Sequence, residues 1–170
     1  MTELRLNAIT RDWVIISTER AKRPDEFAKM QKETVVLPSY SPTCPFCLGN
    51  EHLTGVESYR LSDHRGWRVR AVINKYPALS PVGELVRTVE GINRSLSGVG
   101  FHEVIIEHPR HDLTTALMEV EDVANIIKVY RQRYAEIRHD SRISTIILFK
   151  NHGKGAGTSL EHPHSQLAAT

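Results

Sequence analysis

The densest run of chemically capable side chains is His162-Pro163-His164-Ser165-Gln166. In an extended segment alternate side chains share a face, so His162, His164 and Gln166 are expected to project to one side. Such a row is also what the polar face of a surface strand looks like. What lends it chemistry is the loop before it, Asn151-His152-Gly153-Lys154-Gly155-Ala156-Gly157-Thr158-Ser159. Gly153, Gly155 and Gly157 allow positive φ and close backbone approach, so N–H groups can converge on phosphate oxygens near Lys154, Thr158 and Ser159. This is not the Walker A order, because the lysine lies inside the glycine run and no helix clearly follows. A phosphate cradle beside an imidazole suits nucleophilic transfer. With an ordinary pKa of about 6.5, histidine is largely neutral at pH 7; fixing one ring nitrogen as a donor leaves the other lone pair to attack phosphorus.

The only two cysteines form Cys44-Pro45-Phe46-Cys47. Two thiolates three positions apart on a tight turn can bind one tetrahedral zinc ion; the same spacing also serves a redox pair, or two unligated thiols. A redox CxxC starts a helix, and Leu48-Gly49-Asn50 opens no apolar helical stripe. A closed zinc site then needs two further donors, for which His108, His111, His162 and His164 are candidates. Each of these histidines, taken alone, reads as an ordinary satisfied polar residue.

The elements that must hold these groups are legible in outline. Trp13–Ser17 is a β-branched run, and Trp67–Ile73 alternates with period two up to Asn74-Lys75-Tyr76-Pro77. Residues 103–107 and 143–149 are two more strands. Val120, Val123, Ile127, Tyr130, Tyr134 and Ile137 are spaced as one stripe of a long helix. Pro38-Ser39-Tyr40-Ser41-Pro42-Thr43 before the cysteines has the composition of an irregular loop. Several strands, one strong helix and no regular βαβ alternation predict an α+β fold with a mainly antiparallel sheet and flanking helices.

The chain has 170 residues, 40% hydrophobic and 25% charged, which suits one globular domain. Its 22 Lys and Arg nearly balance 20 Asp and Glu. With no basic residues interleaved with aromatics around the cysteines, nucleic-acid binding through a zinc knuckle is disfavoured, and no membrane surface is expected as partner. The N-terminus lacks the apolar core of a signal peptide, and no stretch approaches the roughly 20 apolar residues that span a bilayer, so a cytoplasmic location is expected.

Taken in order, five motifs resemble the galactose-1-phosphate uridylyltransferase family of the histidine-triad superfamily. They are Arg20-Ala21-Lys22-Arg23-Pro24, the Cys44–Cys47 knuckle, Asn74–Pro77, Pro109-Arg110-His111 and residues 151–166. The resemblance runs over essentially the whole chain and implies a histidine-triad-like fold for residues 1–170. It implies that Cys44, Cys47, His111 and His162 bind a structural zinc ion, Zn2+, with His108 a bystander. It further implies that His164 attacks the α-phosphorus of a nucleotide sugar while the His162 carbonyl holds its other nitrogen, and that Gln166 donates to the phosphoryl oxygen. Arg20, Arg23, Asn74, Asn151 and Ser159 match positions at the nucleotide and phosphates, with Gly155 and Gly157 in the phosphate loop. The partners implied are a nucleotide sugar, a hexose 1-phosphate and a second copy of the chain in a homodimer. A second, similar half follows in the family, so residues 1–170 are expected to be the N-terminal catalytic half.

Two departures bear on the substrate. Ser165 stands where the best-known members carry glycine, and Glu161 where they carry proline. Members with the serine include enzymes that handle adenylyl groups. The leading expectation is exchange of UMP between UDP-glucose and galactose 1-phosphate through His164. An adenylyl-handling relative, and a zinc-stabilised nucleotide-binding module without turnover, remain as alternatives.

Overall fold

The computed structural model of the chain describes residues 2–18 and 36–170; Arg20 and Arg23 lie outside the described residues. Strands β1 (Thr2–Leu6), β2 (Trp13–Ser17), β5 (Arg87–Glu90) and β6 (Asn93–Ser97) form a four-stranded sheet in the order β2-β1-β6-β5. A five-stranded sheet carries β3 (Glu57–Asp63), β4 (Gly66–Ile73), β7 (Phe101–Ile106), β8 (Ile146–Phe149) and β9 (His164–Ala169), in the order β3-β4-β7-β9-β8. Every ladder between these strands is antiparallel. The mainly antiparallel α+β architecture expected from the sequence is therefore what the chain adopts. Among the described residues there is one α-helix, α1 (Val120–Ile137), rather than several.

The period-two rule assigns the two faces of the larger sheet. On one face Val69 and Ala71 of β4, Ile105 of β7, and Leu167 and Ala169 of β9 pack against Ile126, Val129 and Ile137 of α1. Burying each of the larger side chains contributes about 1.5–3 kcal/mol. On the other face Val72, Val104 and Ile106 pack against Cys44, Phe46 and Cys47 of the cysteine loop. Gly100, just before β7, lies so close to β9 that an added Cβ would sit 2.0 Å from the Ala169 carbonyl oxygen. Only glycine lets the two backbones approach this way.

Two sequence expectations need correction. The buried face of α1 is Asp122, Asn125, Ile126, Val129, Arg133 and Ile137, rotated from the apolar stripe; Val120, Ile127 and Tyr134 are exposed. The rotation follows from two charged side chains that find partners across the sheet. Arg133 makes a bidentate pair with Glu103, 2.9 and 2.7 Å, and Asp122 pairs with Arg68. A paired charge can be buried at a defined register where an apolar residue would fit anywhere. The expected strand 143–149 begins only at Ile146; just before it Thr145 and Thr170 exchange N–H···O bonds of 2.7 and 2.9 Å, and Ser144 N–H also donates to the Thr170 carbonyl at 2.8 Å.

Candidate active site and metal centre

The cysteine loop is shaped by successive turns. Cys44 N–H donates to Ser41 O, Cys47 N–H to Cys44 O and Asn50 N–H to Cys47 O, at 3.1–3.3 Å. The Asn50 side chain closes the loop by donating to the carbonyls of Ser41, Pro42 and Cys44, the shortest at 2.8 Å. Asn50 was missed in the sequence; its one available signal was an amide-bearing residue three positions after Cys47.

This loop brings Cys44 and Cys47 to His111 and His162, with one potential ligand atom from each residue within 4.8 Å of the others, all four buried. The His111 segment is pinned by its N–H to the Ser39 carbonyl at 2.9 Å. His162 donates from Nε2 to the His108 carbonyl at 2.7 Å, which turns its Nδ1 lone pair toward Cys44 and Cys47, 3.8 and 3.6 Å away. Burial pushes the Cys44 thiol up to about 11 and holds His162 down at about 4. His162 is therefore in the neutral, ligating form at pH 7, whereas Cys44 becomes a thiolate only beside a cation. A redox cysteine shows the opposite shift, and both cysteines are free thiols. A Cys2His2 set, closed and with its histidine oriented by a backbone carbonyl, fits a tetrahedral zinc ion.

Two residues beyond His162, His164 opens β9. Its Nδ1 donates to the His162 carbonyl at 2.8 Å, which assigns the lone pair to Nε2. The edge of the Phe46 ring stands against the imidazole, with centroids 5.3 Å apart. His164 and Gln166, on the same face of β9, line a cavity of about 410 Å³ together with Phe46, Asn74, Tyr76 and Ser159. The one-sided row expected from the sequence thus holds for His164 and Gln166. His162 precedes the strand and turns into the cysteine cluster.

Asn74 and Ser159 reach the cavity, while Asn151 and Gly155 are exposed and Gly157 is half-buried, none of them on its wall. Gly153 and Gly157 take positive φ, +77° and +73°, on either side of a short 3₁₀ turn at Lys154–Ala156. His108 is not in the cluster. Its Nδ1 accepts from Arg110 N–H at 2.9 Å, its Nε2 lies 3.7 Å from Asp122, and burial lowers its pKa. Ser165 points away from the cavity, toward α1, where it accepts a hydrogen bond from Tyr130 Oη at 2.7 Å. Burial raises the Tyr130 phenol to about 12. His102, on β7, was also missed; it contacts Gln166 Oε1 at 3.0 Å, and its only sequence signal was its place in the strand's alternation.

Residues 1–170 match the family described as galactose-1-phosphate uridyl transferase, N-terminal domain. The chain belongs to that family. It is 38% identical over 171 residues to an ADP-glucose phosphorylase of Arabidopsis thaliana, covering 98% of this chain and 48% of that protein. It is 31% identical over 177 residues to a galactose-1-phosphate uridylyltransferase of Cryptococcus neoformans, covering 98% and 44%. It also superposes on the crystal structure of an Arabidopsis thaliana ADP-glucose phosphorylase with bound ADP-glucose, with a TM-score of 0.65, 33% identity, and coverage of 100% and 49%. The chain spans about half the length of the curated relatives it matches. In this uridyl transferase family member, no helix among the described residues is long and apolar enough to cross a membrane.

Proposed function

We propose that the chain is the nucleotidyl-accepting half of a transferase that acts on a nucleotide sugar, with His164 as the nucleophile. The observation that carries this reading is the His164 Nδ1–His162 carbonyl hydrogen bond at 2.8 Å, which leaves the Nε2 lone pair for phosphorus at the wall of a cavity. In the first displacement a bond forms between His164 Nε2 and the α-phosphorus, the bond to the bridging oxygen breaks, and sugar 1-phosphate leaves. In the second, an oxygen of an acceptor phosphate attacks the same phosphorus and the P–N bond breaks, regenerating the imidazole. Gln166 donates its amide N–H to a phosphoryl oxygen, where charge builds. Asn74 and Ser159 bind from the cavity wall, and Arg20, Arg23, Asn151, Gly155 and Gly157 belong to the phosphate-binding set by resemblance.

Zinc held by Cys44, Cys47, His111 and His162 would be structural, because four protein donors leave no position for water or substrate. It ties the cysteine loop to the segment that leads into His164. A homodimer, on the strength of the resemblance, and a cytoplasmic location, expected from the sequence, complete the reading.

Two donors fit this chemistry. The motifs alone favour UDP-glucose, with UMP exchanged onto galactose 1-phosphate. The higher identity to an ADP-glucose phosphorylase, 38% against 31%, favours an adenylyl donor, with inorganic phosphate or a sugar phosphate as acceptor. Intact-mass spectrometry after incubation with UDP-glucose and, separately, ADP-glucose names the donor. We expect a gain of one nucleoside monophosphate with one of them, and a loss of labelling on the order of 10⁴-fold in His164→Ala. No adduct with either sugar would leave a nucleotide-binding module without turnover.

A further inference from the structure

We infer that His102 is a positioning residue for Gln166, holding the amide so that its oxygen faces inward and its NH₂ group faces the reacting phosphate. What the NH₂ group meets rests on the nucleotidyl-transfer reading above; its orientation rests on hydrogen-bond geometry alone. His102 is buried, 3% exposed, and stands behind Gln166 and Asn74, two residues of the cavity wall. Its cross-strand partner on β9 is Ala168, whose methyl group leaves room for the ring to lean toward Gln166, one position along the same face.

The tautomer is set by a donor that cannot change its role. The backbone N–H of Ala78 points at His102 Nδ1 at 2.8 Å, so Nδ1 carries the lone pair. In the neutral ring the proton is then on Nε2. Nε2 lies 3.0 Å from Gln166 Oε1, and an N–H there can donate only to the oxygen of that amide. Turning the Gln166 amide over would set its NH₂ group against the ring N–H. The correct rotamer therefore holds before substrate arrives.

The same nitrogen meets Asn74 Nδ2 at 3.2 Å. Asn74 Oδ1 accepts from Tyr76 N–H at 2.9 Å, so its amino group is the end that faces the ring. With the ring proton on Nε2, both facing groups are donors, so this 3.2 Å approach is a contact rather than a hydrogen bond and the ring proton goes to Gln166. The imidazole thereby settles the direction of the Gln166 amide, while the Tyr76 N–H settles that of Asn74.

Two substitutions separate the contacts. His102→Asn keeps an acceptor for Ala78 N–H but is too short to reach Gln166, whereas His102→Gln can extend an amide N–H to it. The readout is the time course of His164 nucleotidylation by intact mass, with the nucleotide sugar that labels the wild type, alongside zinc content and urea midpoint. His102→Asn should slow labelling at saturating donor about 10-fold with less than about a threefold change in half-saturation, and His102→Gln should stay within about threefold of wild type. On a Gln166→Ala background His102→Asn should slow labelling by less than about twofold, because the residue it acts through is gone. Equal slowing in both backgrounds would overturn the inference. A long-range ¹H–¹⁵N spectrum of the histidine-labelled chain provides a readout independent of activity. The Nε2–H tautomer for His102 supports the inference and the Nδ1–H tautomer overturns it, even where the wild type forms no adduct and the transfer reading itself has failed. If His102→Asn does not fold, His102→Gln and the spectrum decide.

Discussion

The two faces of the five-stranded sheet are built from the same strands but organised by different rules. Toward α1, Ile105, Leu167 and Ala169 pack against Ile126, Val129 and Ile137, and each buried charge has its counter-charge, as Arg133 has Glu103. Toward the cysteine loop the polar groups are oriented by fixed backbone partners. The carbonyl of His108 holds His162, that of His162 holds His164, and the N–H of Ala78 sets His102. In each case one end of the side chain is committed and the other is turned toward the cluster or the cavity. The first arrangement satisfies its groups internally; the second aims them at a ligand. Strand β9 serves both, since Ser165 and Leu167 face the helix while His164 and Gln166 face the cavity.

If the two faces are as separate as this, damage to one should leave the other intact. The largest effect is expected from Cys47→Ser, which removes a donor that is fully buried. Bound zinc measured by mass spectrometry should fall from one equivalent to none, with a loss of stability on the order of 3–5 kcal/mol and of His164 labelling. Retained labelling without zinc would uncouple the cluster from the nucleophile. Leu167→Ala cuts the opposite face. Urea unfolding should show a loss of about 2–5 kcal/mol, while zinc stoichiometry and the labelling rate per folded molecule stay as in the wild type.

Ser165→Ala sharpens the comparison at the position next to the nucleophile. Losing the Tyr130 hydrogen bond should lower stability by about 1 kcal/mol and leave the preference between UDP-glucose and ADP-glucose unchanged, because Ser165 faces the helix. A change of donor preference would show that the two faces communicate through β9. The smallest effect concerns pH. Tyr130 is raised from 10.0 to about 12, mainly by burial, so the folded state favours the protonated phenol more than the unfolded state does. Its contribution is fully present below about pH 10 and is lost as pH rises from about 10 through 12. Tyr130→Phe should therefore show a shallower fall of urea midpoint across that window than the wild type does.

Much of this was legible in the residue pattern. The strand 67–73 and the extent of α1 follow from apolar periodicity, and the fate of the alternating His164 and Gln166 follows from the two-residue repeat. The ordered motifs pointed to the Cys44, Cys47, His111 and His162 set that the fold brings together. The helix face was misread because apolar spacing cannot register that Asp122 and Arg133 have counter-charges waiting on Arg68 and Glu103. His102 and Asn50 were missed for a related reason: their importance lies in which backbone and side-chain groups come within hydrogen-bond reach, and those contacts close between residues 6 to 64 positions apart.

The sequence by itself determined the inventory, namely which side chains can ligate, attack or donate, and on which side of a strand each must fall, because residue chemistry and backbone period are local properties. Tertiary structure alone decided the directions. Which nitrogen of His162 carries the lone pair, which way the Gln166 amide turns, and that Ser165 meets a tyrosine rather than a substrate all depend on partners delivered by distant segments, and a hydrogen bond exists only where distance and angle are met together.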